Sequence, residues 1–89
     1  MRKLYIVKTE REFEKIIKNG SCLKNRYYVI HRLKNDLPYD RYGISVSKKL
    51  GNAVFRNQYK RKIRSIIDKY KKEYVNCEDY IIILRKEAI

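Results

Sequence analysis

Tryptophan is absent from these 89 residues, and histidine and proline occur once each. With His31 the single histidine, and Cys22 and Cys77 far apart in no CxxC spacing, the chain has no recognisable zinc site or redox pair. The two cysteines are therefore expected as reduced thiols. No stretch approaches the ~20 apolar residues that a membrane span needs, and residues 1–6 lack the apolar run of a secretory signal. A cytoplasmic protein with no membrane partner is expected. No linker, repeat or low-complexity tract interrupts the chain, so one domain over residues 1–89 is expected, too small for a second, regulatory unit.

Acidic residues are also scarce. Ten Asp and Glu face 23 Lys and Arg, giving a formal charge of +13 and a pI near 9.9, while a hydrophobic content of 44% is that of a globular chain. Such a surface favours a polyanion, because phosphate contacts release condensed counterions and so bind nucleic acid with steep salt dependence. An acidic membrane is the weaker alternative.

The apolar pattern predicts the elements. Thr9 and Glu12 form a capping box ahead of Phe13, Ile16 and Ile17, and Gly20 stands where a C-terminal cap belongs, which predicts a short first helix. Residues 26–33 are rich in β-formers and lead into Asn35, Asp36 and Pro38, which favour a turn. Tyr42, Ile44 and Val46 then alternate with Gly43, Ser45 and Ser47, predicting a half-buried strand and, with residues 26–33, a hairpin over 26–47. Asn52 is placed to cap a long helix with Phe55, Tyr59, Ile63, Ile66, Ile67, Tyr70 and Tyr74 on one stripe. The unbroken apolar run Tyr80–Leu84, inside 79–85, predicts a central strand covered on both faces. The expected fold class is α+β: helix, strand, strand, long helix, strand, with a βαβ unit over 42–85 and a helix-covered sheet of mixed direction.

Between Arg41 and Arg64 the chain carries eight cations (Arg41, Lys48, Lys49, Arg56, Lys60, Arg61, Lys62 and Arg64) and no Asp or Glu. At about 100° per residue, Arg56, Asn57, Lys60, Arg61 and Arg64 fall within a sector of about 140° beside the apolar stripe. A solvated face balanced by i, i+4 pairs would need acids, and none occurs before Asp68. Arginine forks and lysine point charges suit phosphate, and Asn57 suits a 2′-hydroxyl or base edge. Lys48, Lys49, Gly51 and Asn52 precede the helix, where its positive pole also attracts phosphate.

The continuous segment Ser45–Arg64, Ser-Val-Ser-Lys-Lys-Leu-Gly-Asn-Ala-Val-Phe-Arg-Asn-Gln-Tyr-Lys-Arg-Lys-Ile-Arg, resembles the signature of the ribonuclease P protein family. The resemblance extends to Phe13 and Gly20, to Asn25-Arg26, and to Asp79-Tyr80-Ile81-Ile82-Ile83. It implies a small single-domain α/β sandwich of a type also found in a ribosomal-protein domain, with a left-handed βαβ crossover. It also implies that the partner ribonuclease P RNA is the catalyst and binds Mg²⁺, while the protein assists removal of the 5′ leader from precursor tRNA. By matched position, Lys48, Lys49, Asn52, Arg56, Asn57, Lys60, Arg61 and Arg64 would meet that RNA. Phe13, Ile17, Tyr28, Val29 and His31 would line a cleft for the single-stranded leader. From the residues alone Phe13 and Ile17 suit plain core packing and His31 a satisfied strand position; only the resemblance makes them a cleft. No catalytic and no metal-binding residue is expected in the protein, and the free protein is expected to be monomeric.

Two departures from the family pattern stand out. Gln58 replaces the usual Arg after Arg56-Asn57, and the usual third, C-terminal helix is expected to be missing from residues 1–89. A different class of protein, a ribosome-associated or other structural RNA binder, would also use a basic helix on a small sheet. A stand-alone metal nuclease would need acids such as Asp36, Asp40 and Asp79 brought together.

Overall fold

The computed structural model describes residues 2–70 and 76–88. Helix α1 runs Glu10–Asn19 and starts as predicted, the Glu12 amide donating to Thr9 Oγ1 at 3.2 Å and the Thr9 hydroxyl to the Glu12 carboxylate at 3.0 Å. Gly20 closes the helix with its N–H on the Ile16 carbonyl (2.9 Å), but in extended backbone at φ −86°. Space, not a left-handed turn, requires the glycine: a Cβ would stand 2.3 Å from the Arg32 carbonyl oxygen.

The remaining elements are β1 (Ser21–Lys24), β2 (Tyr28–Lys34), β3 (Arg41–Ser45), α2 (Ala53–Tyr70) and β4 (Glu78–Leu84), with short 3-10 turns at Lys3–Tyr5, Lys48–Leu50 and Lys86–Ala88. The strands form one sheet in the order β1-β2-β4-β3, in which β1–β2 and β2–β4 are antiparallel and β3–β4 is parallel. The hairpin predicted over 26–47 is therefore replaced by one over 21–34. Asn25 makes its turn, Oδ1 accepting from the amides of Tyr27 (2.7 Å) and Tyr28 (2.9 Å). β4, apolar on both sides, takes the slot between β2 and β3 and becomes the central strand as expected.

Strand alternation sends residues to two faces. On one, α1 packs Phe13 and Ile16 against Val7, Leu33, Ile81 and Ile83. On the other, Tyr59, Ile63 and Ile67 of α2 pack against Ile44, Val46, Leu50, Leu84 and Ala88. Full burial of a side chain such as Ile16 or Ile81 contributes about 2 kcal/mol each. β3 is covered on both faces: Gly43 is buried, and a Cβ there would lie 2.6 Å from Phe13 Cζ. The apolar stripe of α2 is narrower than its periodicity suggests, because Ile66 and Tyr70 are exposed; Tyr74 lies outside the described residues. On the α2 side Tyr42 and Tyr80 stack at 5.3 Å, and burial, with help from Asp40 and Tyr80, pushes the Tyr42 hydroxyl up to about 12, so it stays neutral.

One ionic cluster joins α1 to the sheet. Arg41, at the start of β3, donates through Nε and Nη2 to both oxygens of Asp79 on β4 (2.9 and 2.6 Å) and through Nη1 to Glu12 on α1. Asn35 adds a hydrogen bond to Asp79 at 2.8 Å. Burial alone would raise the Asp79 carboxyl, but the bonds from Arg41 and Asn35 outweigh it and hold the group below the usual carboxylate range. Glu12 is lowered in the same way, burial being offset by Arg41 and Thr9.

A folded-state carboxyl held low contributes stability that is present above the unfolded value of about 4 and is lost as pH falls through the folded one. Thermal unfolding followed by circular dichroism should therefore show stability falling below about pH 4 in the wild type, and falling less over that interval in Asp79→Asn. At neutral pH, Asp79→Ala should cost roughly 3 kcal/mol, the lower end for a broken buried pair because the Arg41 side chain stays 21% exposed.

Candidate nucleic-acid interface

The basic helix is presented by a locally determined start. Ser47 Oγ accepts from the Lys49 amide (3.2 Å) and shapes the turn at Lys48–Leu50. Asn52 caps α2 as predicted, its Oδ1 accepting from the Phe55 amide at 2.9 Å. Gly51 lies against the Phe55 ring, 2.2 Å from where a Cβ would be, and Phe55 in turn meets Tyr59 with ring centroids 4.8 Å apart. This packing orients the first turns of α2, and the sheet then determines which flank faces outward.

Two of the eight cations in the Arg41–Arg64 segment are used internally. Arg41 belongs to the ionic cluster, and Lys62 Nζ stands 5.2 Å from the centre of the Tyr59 ring. The other six, Lys48, Lys49, Arg56, Lys60, Arg61 and Arg64, have no carboxylate partner among the described residues. Lys48, Lys49, Asn52, Asn57 and Arg61 are exposed, and Arg56, Lys60 and Arg64 are half-buried along the flank of the core. Arg56 Nε is enclosed without an acceptor. The fold thus holds the Arg56 stem, and its guanidinium has no carboxylate partner among the described residues.

The opposite face of the sheet carries the second set of expected residues. Phe13 and Ile17 come from α1, and Val29 and His31 from β2 lie on the side that α1 covers, since their partners on β4 are Ile83 and Ile81. Ile17 remains 42% exposed and His31 is half-buried with Nδ1 enclosed and unpaired. Tyr28 does not join them. It pairs with Leu84, whose side chain packs on the α2 side, so the alternation of β2 turns Tyr28 to the other face.

β1 adds two residues that the sequence pattern did not single out. Cys22 pairs with His31 and Lys24 with Val29, so both lie on the α1 side, and both are exposed. The signal available was the turn-forming Asn25, which implies a strand before it as well as after it. Among the described residues no three His, Cys, Asp or Glu are grouped to hold a metal ion, and no helix is long and apolar enough to cross a membrane.

An α+β sandwich whose one helix carries a row of cations without a carboxylate partner among the described residues, with an open, partly apolar strip beside another helix, defines a small RNA-binding protein. The chain belongs to the ribonuclease P protein family, whose model, described as Ribonuclease P, matches residues 1–89. It is 48% identical over 86 residues to the ribonuclease P protein component of Streptococcus pneumoniae, covering 97% of this chain and 70% of that one. The solved RNase P protein of Staphylococcus aureus superposes with a TM-score of 0.88 at 41% identity, covering 94% of this chain and 77% of that one. That of Thermotoga maritima gives 0.84 at 37%, covering 91% and 74%.

Removing a cation that touches phosphate should lower the slope of log affinity against log salt by about 0.9 on duplex-like sites. Single Arg56→Ala, Lys60→Ala and Arg64→Ala variants, titrated with fluorescent RNA at several salt concentrations, are expected to show that flattening. Slopes equal to wild type would exclude these residues from phosphate binding.

Proposed function

We propose that this chain is the protein subunit of ribonuclease P, binding the ribonuclease P RNA through α2 and the 5′ leader of precursor tRNA on the α1 side of the sheet. The observation that carries the reading is the set of six cations at Lys48–Arg64 with no carboxylate partner among the described residues. Charge left unneutralised by the fold is available to phosphate, and here it is gathered on α2 and the turn that leads into it. Family membership supports the assignment of that partner to the ribonuclease P RNA.

On this reading Lys48, Lys49, Asn52, Arg56, Asn57, Lys60, Arg61 and Arg64 hold the RNA subunit. Phe13, Ile17, Val29 and His31 offer apolar and aromatic surface on which unpaired leader bases stack or rest. Phe13, under Gly43, supports that surface from below more than it faces solvent. The protein orients RNA and contributes no nucleophile. Hydrolysis of the phosphodiester depends on Mg²⁺, which we assign to the RNA subunit, since the described protein residues form no donor cluster suited to it. The free protein is proposed to be monomeric and to act in the bacterial cytoplasm.

The test is precursor-tRNA cleavage at low Mg²⁺, comparing a bacterial ribonuclease P RNA alone, the protein alone and the mixture. Stimulation in the mixture only is expected. RNA binding without stimulation would point instead to a structural RNA binder of the ribosome-associated kind, and cleavage by the protein alone would overturn the assignment of catalysis to RNA. In the reconstituted enzyme, Ile17→Ala and His31→Ala should each weaken binding of leader-bearing precursor about 5-fold or more, as expected when a base loses its stacking surface, with leaderless tRNA unaffected.

A further inference from the structure

The leader surface has a floor, β2, and one wall, α1, and the floor residues Val29, His31 and Leu33 include no Lys or Arg. Eleven strand residues lie on this side: Cys22, Lys24, Val29, His31, Leu33, Arg41, Gly43, Ser45, Asp79, Ile81 and Ile83. Only two of them are Lys or Arg. Arg41 is committed to Asp79 and Glu12. Lys24 has no carboxylate partner among the described residues and is exposed.

We infer that β1 is the outer wall of the leader trough and that Lys24 holds a phosphate of the leader there. The inference rests on the leader reading above and assigns it a charged residue. Directly opposed residues on antiparallel strands have Cβ atoms about 5 Å apart on the same face. Lys24 therefore stands beside Val29, and Cys22 beside His31, so that a base resting on the β2 floor has its backbone alongside β1. Among the described residues the far edge of β1 pairs with no other strand, which leaves the trough open on that side for a single strand to lie across it. A single-stranded chain needs both a surface for its bases and a positive rail for its backbone. β2 provides the first and Lys24 the second. Lys24 is a substrate-binding residue: it touches leader phosphate.

The same register gives the trough a native reporter. Cys22 is a free, exposed thiol on this wall, whereas Cys77 lies half-buried ahead of β4. Leader RNA seated between α1 and β1 passes over Cys22 and should shield it from alkylation.

The experiment uses the holoenzyme reconstituted with ribonuclease P RNA. Lys24→Ala should weaken binding of a leader-bearing precursor several-fold and reduce its salt slope by about 0.7, the single-strand value, while leaderless tRNA binds as before. Lys24→Arg should restore both. N-ethylmaleimide should modify Cys22 more slowly in the presence of leader-bearing precursor than with leaderless tRNA. If Lys24→Ala binds like wild type, or Cys22 is not shielded, while Ile17→Ala and His31→Ala still weaken leader binding, β1 is no wall and this inference fails alone. If none of the three substitutions affects leader binding, the leader reading itself fails and this inference with it.

Discussion

Arg41 reaches two carboxylates at once, and the position of everything on the α1 side depends on it. Its fork closes on Asp79 across the parallel β3–β4 pair while its third hydrogen bond holds Glu12 in the first turn of α1. Taking these charges out of water is costly, and the attraction offsets that cost only when remaining lone pairs are also satisfied. Asn35 does this for Asp79 and the Thr9 hydroxyl for Glu12. With α1 held at that end, Phe13 drops onto Gly43, Ile16 is buried, and Ile17, the next residue round the helix, is left at the lip of the sheet.

The same arrangement bears on how a chain with 23 cations keeps the six of Lys48, Lys49, Arg56, Lys60, Arg61 and Arg64 without a carboxylate partner among the described residues. Three of its acids are engaged by the fold at the N-terminal ends of β3 and β4: Glu12 and Asp79 by Arg41, and Asp40 by the amides of Asn76 (3.1 Å) and Glu78 (2.8 Å). Lys48 and Lys49 follow the C-terminal end of β3, and the free cations of α2 continue from there. These three carboxylates and the cations of Lys48–Arg64 are thus separated along the strand direction. A polyanion approaching the first turns of α2 meets a cluster of cations, which favours rapid, oriented encounter.

Much of this was legible before any coordinates. Thr9, Asn52 and the 3.6-residue periodicity located both helices, since caps and amphipathic stripes are local signals. The run Tyr80–Leu84 announced a strand apolar on both faces, and the acid-free stretch from Arg41 to Arg64 announced a helix with a basic flank. β1 was not legible, because Ser-Cys-Leu-Lys is short, exposed and carries no strong strand former, and its existence rests on an Asx turn at Asn25. The parallel relation of β3 and β4 was legible as a βαβ unit over 42–85, but its register was not, being set by contacts between residues 38 apart, such as Arg41 with Asp79. Tyr28 was misplaced for a related reason: grouping it with Val29 and His31 ignored that adjacent strand residues point in opposite directions. Arg41 counted only as one more cation of the acid-free stretch because its two acidic partners are remote in sequence.

β4 is central to the sheet, and its alternation has a bearing on how such a chain can vary. Asp79, Ile81 and Ile83 serve the face beneath α1, and Tyr80, Ile82 and Leu84 the face beneath α2. If leader and ribonuclease P RNA engage opposite sides, a single strand is the partition between enzyme RNA and substrate, with a layer about 10 Å deep on either hand. Substitutions along that partition can be absorbed one side at a time. An inserted or deleted residue cannot, because it would exchange the two sides from that point on, presenting each RNA with the surface made for the other. Length, more than composition, is what evolution is not free to change in this strand.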